Sequence, residues 1–165
     1  MIEKRSFVFM GSIGFLITFI LLLVYFKYVE LRGQRSLPKS KNITWIQNKP
    51  LRENYKIFLI VLIFHPDCDY CKYEATEIFK NREKFSRVNF WWISYAKKTE
   101  ILAFKNKYLP GNIDEMSIGF IPIDKLSNIF GNVTIPHIYI YNNDKLLIKE
   151  FKGETKMDAL IQFIK

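Results

Sequence analysis

The chain has 165 residues, of which 49% are hydrophobic and 25% charged, and this composition excludes a disordered or fibrous polymer. The net charge of +9 lies mainly in residues 27–56, which carry eight basic and two acidic side chains. Residues 57–165 carry fifteen basic and thirteen acidic side chains and are nearly neutral. Because the basic excess lies outside residues 57–165, which form most of the predicted folded domain, nucleic-acid binding is not expected.

The N-terminal region contains an uncharged apolar segment. Residues 7–26 lack any charged side chain, and their number matches the roughly 20 residues that a helix needs to cross a bilayer. The segment is longer than the apolar part of a signal peptide, and no small-residue cleavage site follows it. The sequence therefore predicts a short tail, residues 1–6, followed by an uncleaved transmembrane anchor at residues 7–26.

The anchor is followed by a basic juxtamembrane linker, residues 27–42, without apolar periodicity. Such a stretch is attracted to anionic lipid headgroups, although it is equally typical of a linker kept soluble by charge. The excess of positive charge behind the anchor predicts a cytoplasmic C-terminal domain by the positive-inside rule. That domain is predicted to occupy residues 43–165, enough for one modest hydrophobic core.

The pattern of the domain predicts alternating strands and helices. Residues 43–47 predict a short edge strand, and the continuous apolar run 55–64 predicts a strand buried on both faces. In the following segment four residues lie on one face of a helix: Cys71, Ala75, Ile78 and Phe79. A second buried strand is predicted at 88–95 and a second helix at 98–109.

The second half of the domain begins with residues 110–123, which are typical of a loop. Asp124 is predicted to cap a short helix through Phe130 that Gly131 ends. Residues 137–141 and 145–151 predict a hairpin, and a closing helix is predicted from the apolar face Met157, Leu160, Ile161 and Ile164. The order of elements predicts an α/β fold with parallel crossovers first and an antiparallel hairpin last.

Two cysteines, Cys68 and Cys71, lie where a buried strand is predicted to give way to a helix. The free N–H groups and the dipole of a helix N-terminus stabilise a thiolate. In such a pair the first cysteine is the exposed nucleophile, and the second attacks the resulting mixed disulfide. A zinc site with four cysteines is excluded because no second pair exists. A structural disulfide of little stabilising effect and two unrelated buried cysteines remain open.

A second feature is Thr134-Ile135-Pro136, directly before the predicted strand 137–141. A proline at the head of a strand cannot donate a hydrogen bond to the ladder. If its peptide bond is cis, the tight turn exposes the backbone of Ile135 to a partner chain. An ordinary edge proline is the alternative.

These residues together resemble a known fold family. The CDYC motif after a buried strand, a hairpin opened by Ile135-Pro136 and a final amphipathic helix resemble the thioredoxin fold, a three-layer α/β/α structure with a mixed sheet. The N-terminal anchor and the segment 98–130 resemble membrane-tethered redoxins of the TlpA/ResA kind. The phrase HPDCDYCKYEA is similar to the active-site segment of such proteins from Bacteroidetes-type bacteria.

The resemblance implies a thiol–disulfide oxidoreductase of the bacterial inner membrane that acts on protein thiols and disulfides. It implies that Cys68 is the nucleophile, Cys71 the resolving thiol and Pro136 a cis-proline that faces them. The redox-active disulfide Cys68–Cys71 is then the working group, with no other cofactor. The resemblance also implies a periplasmic domain, against the charge count.

Departures from the family pattern affect the expected chemistry. Asp67 stands where many thioredoxins have tryptophan. The predicted central strand lacks their buried acid, so a proton acceptor for Cys71 is not evident in the sequence. Asp67 and Asp69 flank Cys68 and disfavour a thiolate there, which predicts a reductant rather than a disulfide donor. The threonine three residues before the cysteine of peroxiredoxins is His65 here, which argues against peroxide reduction.

The only two histidines, His65 and His137, border the two loops that meet in this fold. They are interpreted as ordinary strand-end residues or as a proton relay. A third hypothesis is a Cu(I) site formed by Cys68, Cys71 and His137, because thiolates are soft ligands that select Cu(I). The alternative function is accordingly a non-enzymatic thioredoxin-like module that binds copper or a protein partner.

Overall fold

The computed structural model describes residues 15–26, 35–48, 57–110 and 116–164. The chain divides into two compact units, Met1–Arg35 and Ser36–Lys165. In the first unit residues 15–26 are helical, and residues 7–14 of the predicted anchor lie outside the described part. Within the described residues, no helix has both the length and the apolar character needed to span a bilayer.

The second unit is built on one six-stranded sheet. Its strands are β1 Thr44–Gln47, β2 Phe58–Phe64, β3 Val88–Ser94, β4 Met116–Phe120, β5 His137–Tyr141 and β6 Leu147–Lys152. The strand order is β1-β4-β3-β2-β5-β6. The three central strands β4, β3 and β2 run parallel, whereas β1, β5 and β6 each run antiparallel to their neighbours. The predicted mixed sheet is therefore confirmed.

Helices cover both faces of this sheet. They are α1 Asp69–Lys80, α2 Lys98–Tyr108, α3 Ile123–Phe130 and α4 Met157–Ile161, with short 3-10 turns at Ser40–Asn42 and Arg82–Phe85. Alternate residues of each strand point to opposite faces, so the sheet borders two separate cores. The first core packs β2 and β3 against α1, α2 and α4, and the second packs them against α3. This is the predicted three-layer α/β/α architecture.

Three expectations about the second half are wrong. The predicted loop 110–123 contains strand β4, whose residues lack apolar alternation because both faces of the strand are covered. Pro122, not Asp124, is the N-cap of α3, and Asp124 lies in the first turn. The closing helix ends at Ile161, and the chain continues in tight turns in which Ile164 is buried as predicted.

The chain before β1 joins the compact unit at its hairpin. Ser36 forms an isolated bridge with Leu146, and the amide of Leu37 donates to the carbonyl oxygen of Lys145 at 2.8 Å. Leu37 also packs against the second core. These contacts attach the C-terminal end of the predicted linker to the turn between β5 and β6.

Candidate active site

The cysteine pair lies at the junction between β2 and α1. Strand β2 ends at Phe64, and Cys68 is the N-cap of α1, so both elements fix the position of its side chain. The amide of Cys71 donates to the Cys68 sulfur at 3.3 Å, which places the sulfur over the first turn of the helix. Both cysteines are free, Cys68 half-buried and Cys71 buried. The structure thus brings the two thiols together where the sequence predicts them.

The two thiols differ in their surroundings. Burial raises the pKa of the Cys71 thiol far above its ordinary value, and the hydrogen bond and charge of Cys68 and the charge of Glu74 raise it further. The backbone of His65 acts in the opposite direction but is outweighed. Cys71 therefore stays protonated in the resting protein, and only Cys68 is accessible from solvent.

The loop before β5 faces this pair. The Ile135–Pro136 peptide bond is cis, and the Cys68 sulfur lies 4.0 Å from the carbonyl oxygen of Ile135. Ile135 is half-buried and packs against both cores, so its backbone is held at the edge of the site. Pro136, Ile135 and Cys68 are therefore brought together, as the resemblance implies.

Glu74 is the site residue that the sequence analysis missed. It lies one helical turn after Cys71 and is completely buried, at 0% exposure. Its Oε1 accepts a hydrogen bond from the amide of Thr155, whereas Oε2 has no hydrogen-bond partner among the described residues. Strand β2 has no buried acid, as its sequence indicates, and helix α1 places the buried carboxyl group of Glu74 near Cys71 instead.

The environment of Glu74 makes it a weak acid. Burial raises its pKa from 4.5 to about 7, and the charges of Glu154 and Glu77 add to this, while the Thr155 amide opposes it. A carboxyl group with such a pKa exchanges a proton readily near neutral pH. In the sequence Glu74 is distinguished only by its position, three residues after Cys71 and next to Ala75 on the apolar face of α1, and this spacing alone does not predict burial.

His65 and Tyr95 form the side of the site next to β3. Their rings lie 5.1 Å apart, and the Nδ1 atom of His65 accepts a hydrogen bond from the amide of Asp67 at 3.3 Å. The pKa of Tyr95 is raised by burial and then by the charges of Cys71 and Cys68. The Nδ1 atom of His65 is thus turned towards its own loop.

The two aspartates next to Cys68 differ in their pairing. The carboxylate of Asp69 lies 2.7 Å from the Nζ atom of Lys72, which lowers the pKa of Asp69. The same Nζ atom donates to the backbone oxygen of Asp67 at 3.4 Å. The carboxylate of Asp67 is exposed and lies 3.8 Å from His65 Nδ1. Lys72 therefore offsets the charge of Asp69, one of the two carboxylates predicted to disfavour a thiolate.

His137 does not join the cysteines. Its Nδ1 atom accepts from the amide of Thr134 at 3.2 Å, and its Nε2 atom lies 2.8 Å from Oε1 of Glu150. Both ring nitrogens are thus engaged away from Cys68 and Cys71. In the part of the chain that the structure describes, no group of three His, Cys, Asp or Glu side chains is arranged to hold a metal ion.

An open hollow of about 250 Å³ lies beside the loop that faces Cys68. Its walls come from the residue after β3, from α3 and from the segment before Pro136, and they present polar and apolar atoms in about equal measure. The lining residues are Tyr95, Ile123, Leu126, Ser127, Gly131, Asn132, Val133 and Ile135. Ile135 lines the hollow, and its carbonyl oxygen lies 4.0 Å from the Cys68 sulfur.

Comparisons of the sequence with known proteins return no relative. No protein-family model matches the chain, and no curated protein matches it significantly. The fold, in contrast, has many counterparts among solved structures.

One similar structure is a secreted Mycobacterium tuberculosis disulfide oxidoreductase homologous to E. coli DsbE, with 15% identity, 66% of this chain and 80% of that chain covered, and a TM-score of 0.56. StoA from Bacillus subtilis has 15% identity, coverage of 68% and 86%, and a TM-score of 0.55. A thiol-disulfide isomerase from Corynebacterium glutamicum has 13% identity, coverage of 81% and 96%, and a TM-score of 0.61. At these identities the likeness establishes the fold: the chain adopts the thioredoxin fold.

Proposed function

We propose that the protein is a membrane-tethered thiol–disulfide oxidoreductase that exchanges disulfides with other proteins through Cys68 and Cys71. The observation that carries the proposal is the asymmetry of the pair. Cys68 is half-buried at the N-terminus of α1, Cys71 is buried one turn behind it, and the carbonyl of Ile135 lies 4.0 Å from the Cys68 sulfur. The shared fold with disulfide oxidoreductases supports the same function.

In the proposed reaction the thiolate of Cys68 attacks a sulfur of the substrate disulfide. A mixed disulfide forms, and the first substrate thiolate leaves and takes up a proton. Cys71 then loses its proton and attacks the Cys68 sulfur, which releases the second substrate thiolate. The substrate disulfide gains two electrons, and the Cys68–Cys71 dithiol becomes a disulfide.

The second step requires a base for the Cys71 thiol, and Glu74 can supply it. Burial keeps Cys71 protonated, so the thiol needs a base before it can attack. Glu74 is buried one turn away, its charge acts on Cys71, and its pKa of about 7 suits a proton acceptor at neutral pH. We assign Glu74 to take the Cys71 proton, with Cys68 and Cys71 as the residues that react with substrate.

The direction of exchange follows from the stability of the thiolates. A couple is a strong oxidant when its reduced form contains a stabilised thiolate. Here burial and the charge of Glu74 disfavour a thiolate at Cys71, and the exposed carboxylate of Asp67 lies next to Cys68. The pair is therefore proposed to act as a reductant of protein disulfides.

The hollow beside Ile135 supports a protein substrate rather than a small one. A polypeptide that lies against the backbone of Ile135 can place a side chain in the hollow while its disulfide meets Cys68. A small disulfide contacts the Cys68 sulfur without reaching α3.

Trapping of the mixed disulfide tests this proposal. The reduced full chain in detergent should cleave the disulfides of a protein substrate, and Cys68→Ser should abolish the reaction. Cys71→Ser should accumulate a mixed disulfide that non-reducing electrophoresis detects and dithiothreitol removes, because the resolving thiol is missing. Lys80→Ala, at the far end of α1, is the matched control and should behave as the wild type. Trapping with Cys68→Ser instead would reverse the assignment.

A further inference from the structure

His137 connects the strand that follows Pro136 with the loop that precedes it. It is the first residue of β5 and is completely buried, at 0% exposure. Its Nδ1 atom accepts a hydrogen bond from the amide of Thr134 at 3.2 Å. This hydrogen bond spans Ile135 and Pro136. It fixes the backbone at Thr134, on the other side of the turn from His137.

The two contacts of the ring define its protonation state. A nitrogen that accepts a hydrogen bond carries no proton, so the proton of the neutral imidazole is on Nε2. Nε2 donates to Oε1 of Glu150 on β6 at 2.8 Å, and that carboxylate oxygen also lies 3.7 Å from the Nζ atom of Lys152. The carboxylate of Glu150 thus favours the one tautomer in which Nδ1 can accept from Thr134.

Packing fixes the plane of the ring. The His137 ring stacks on Tyr139 with centroids 4.4 Å apart and planes within 5°. The hydroxyl of Tyr139 donates to the backbone oxygen of Phe130 at 3.0 Å, which ties this stack to the end of α3. The imidazole therefore has little freedom to turn away from the amide of Thr134.

We propose that His137 is a positioning residue that holds the Thr134 amide and thereby presents the backbone of Ile135 to protein substrates. The peptide that it holds is one residue from Ile135, whose carbonyl lies 4.0 Å from the Cys68 sulfur. This inference rests on the proposed disulfide exchange and adds how the site recognises a polypeptide. A small disulfide needs only the Cys68 sulfur, so its reaction does not depend on His137.

Two substitutions separate this role from a contribution to stability alone. The side-chain amide of asparagine reaches the place of Nδ1, so His137→Asn keeps an acceptor for Thr134 and loses the contact with Glu150. The longer glutamine reaches the place of Nε2, so His137→Gln keeps a partner for Glu150 and loses the acceptor. A residue that served only to pair with the Glu150 carboxylate would show the opposite ranking.

The test compares reduction of a protein disulfide with reduction of a small aromatic disulfide by the full chain in detergent. His137→Gln should slow the protein reaction by about tenfold, the effect expected of one lost hydrogen bond, and leave the small reaction unchanged. His137→Asn, which keeps the acceptor, should stay within about threefold of the wild type in both reactions. Equal losses in His137→Gln and His137→Asn would overturn the inference.

A measurement on the wild type keeps the test independent of how the variants fold. Hydrogen exchange followed by NMR should show the Thr134 amide protected, as a hydrogen-bonded group is, although the Thr134 residue itself is exposed. Free exchange of this amide would also overturn the inference. A wild type that is inert towards both disulfides would instead contradict the proposed function itself.

Discussion

Glu74 illustrates how its surroundings alter an ordinary carboxyl group. In the unfolded chain its pKa is about 4.5, whereas in the folded protein burial raises its pKa to about 7. Between these two values the folded state keeps a proton that the unfolded state has lost. Stability therefore falls as pH rises through this window, and the loss is complete above the folded pKa.

We predict that Glu74→Gln removes this pH dependence. At about 1.4 kcal/mol per pKa unit, the free energy of unfolding of the wild type should fall by about 3 kcal/mol between pH 4.5 and pH 8. Glutamine accepts from the Thr155 amide and carries no charge, so the variant should be flat over this window. Urea unfolding at four pH values measures both profiles.

Glu77→Gln is the matched control for this experiment. Glu77 lies on the same helix, but its carboxylate pairs with Lys80 at 2.8 Å instead of being enclosed. The control should retain most of the wild-type pH dependence. A wild-type stability that is constant or rising from pH 4.5 to pH 8 would show that Glu74 is ionised throughout.

The cysteines of the site could be predicted from the sequence, but Glu74 could not. A CxxC pair between an apolar strand and a helix can be recognised from its local spacing alone. A glutamate three residues further is ordinarily exposed, and its burial here depends on Thr155, which lies 81 residues away. Whether a glutamate at this position is buried or exposed depends on how distant segments of the chain pack.

At the scale of single elements, β4 shows a similar dependence on tertiary contacts. Gly119 lies opposite Trp45 of β1, and a methyl group on its Cα atom would collide with the side chain of Ile43. Glycine weakens a strand on its own, yet here it leaves room for the side chains of Ile43 and Trp45. The segment Met116–Phe120 resembles a loop in its sequence, since it contains this glycine and a serine and has no apolar alternation.

We predict that Gly119→Ala destabilises the fold by about 1–3 kcal/mol, the usual cost of an overfilled core. Thermal and urea unfolding of the full chain measure the change. Ser117→Ala, two residues earlier on the same strand, adds no volume and should change stability by less than about 1 kcal/mol. Equal effects of the two variants would mean that Ile43 moves aside without cost.

The other elements were easier to predict because their patterns are local. The runs that form β2 and β3 are continuous and apolar, and the cysteine helix has a clear apolar face in Ala75 and Ile78. The first turn of α3 was harder, because Asp124 resembles a cap while Pro122 holds that position. The negative charge of Asp124, in the first turn, instead interacts favourably with the helix dipole.

At the scale of the whole chain, the proposed membrane tether raises the question of sidedness. Basic residues behind the apolar segment predict a cytoplasmic domain, whereas an accessible disulfide-exchanging pair suits an extracytoplasmic compartment. We propose the periplasmic side of a bacterial inner membrane. Alkaline phosphatase fused after Lys165 should be active, and green fluorescent protein at the same position should be dark. The reverse result would favour the charge count.

The attachment of residues 36–42 yields a second prediction at this scale. A fragment of residues 36–165 contains the whole second compact unit and should unfold cooperatively. A fragment of residues 43–165 loses the Ser36–Leu146 bridge and the packing of Leu37, and should be less stable by about 1–3 kcal/mol. Urea unfolding of both fragments provides the comparison. Identical midpoints would show that these residues contribute nothing.

The adjacent tryptophans of β3 lie in different cores, so their fluorescence should respond differently to the cysteine pair. Trp91 lies in the second core, where its ring meets Trp45 edge-on at 5.1 Å, and Trp92 lies in the first core with Phe64 and Phe104. Cys71 belongs to the core of Trp92 only. Since disulfides quench indole emission at short range, oxidation of the pair should lower the emission of Trp92 and leave that of Trp91, on the other face of the sheet, unchanged. The fluorescence change on oxidation should therefore be lost in Trp92→Phe and kept in Trp91→Phe.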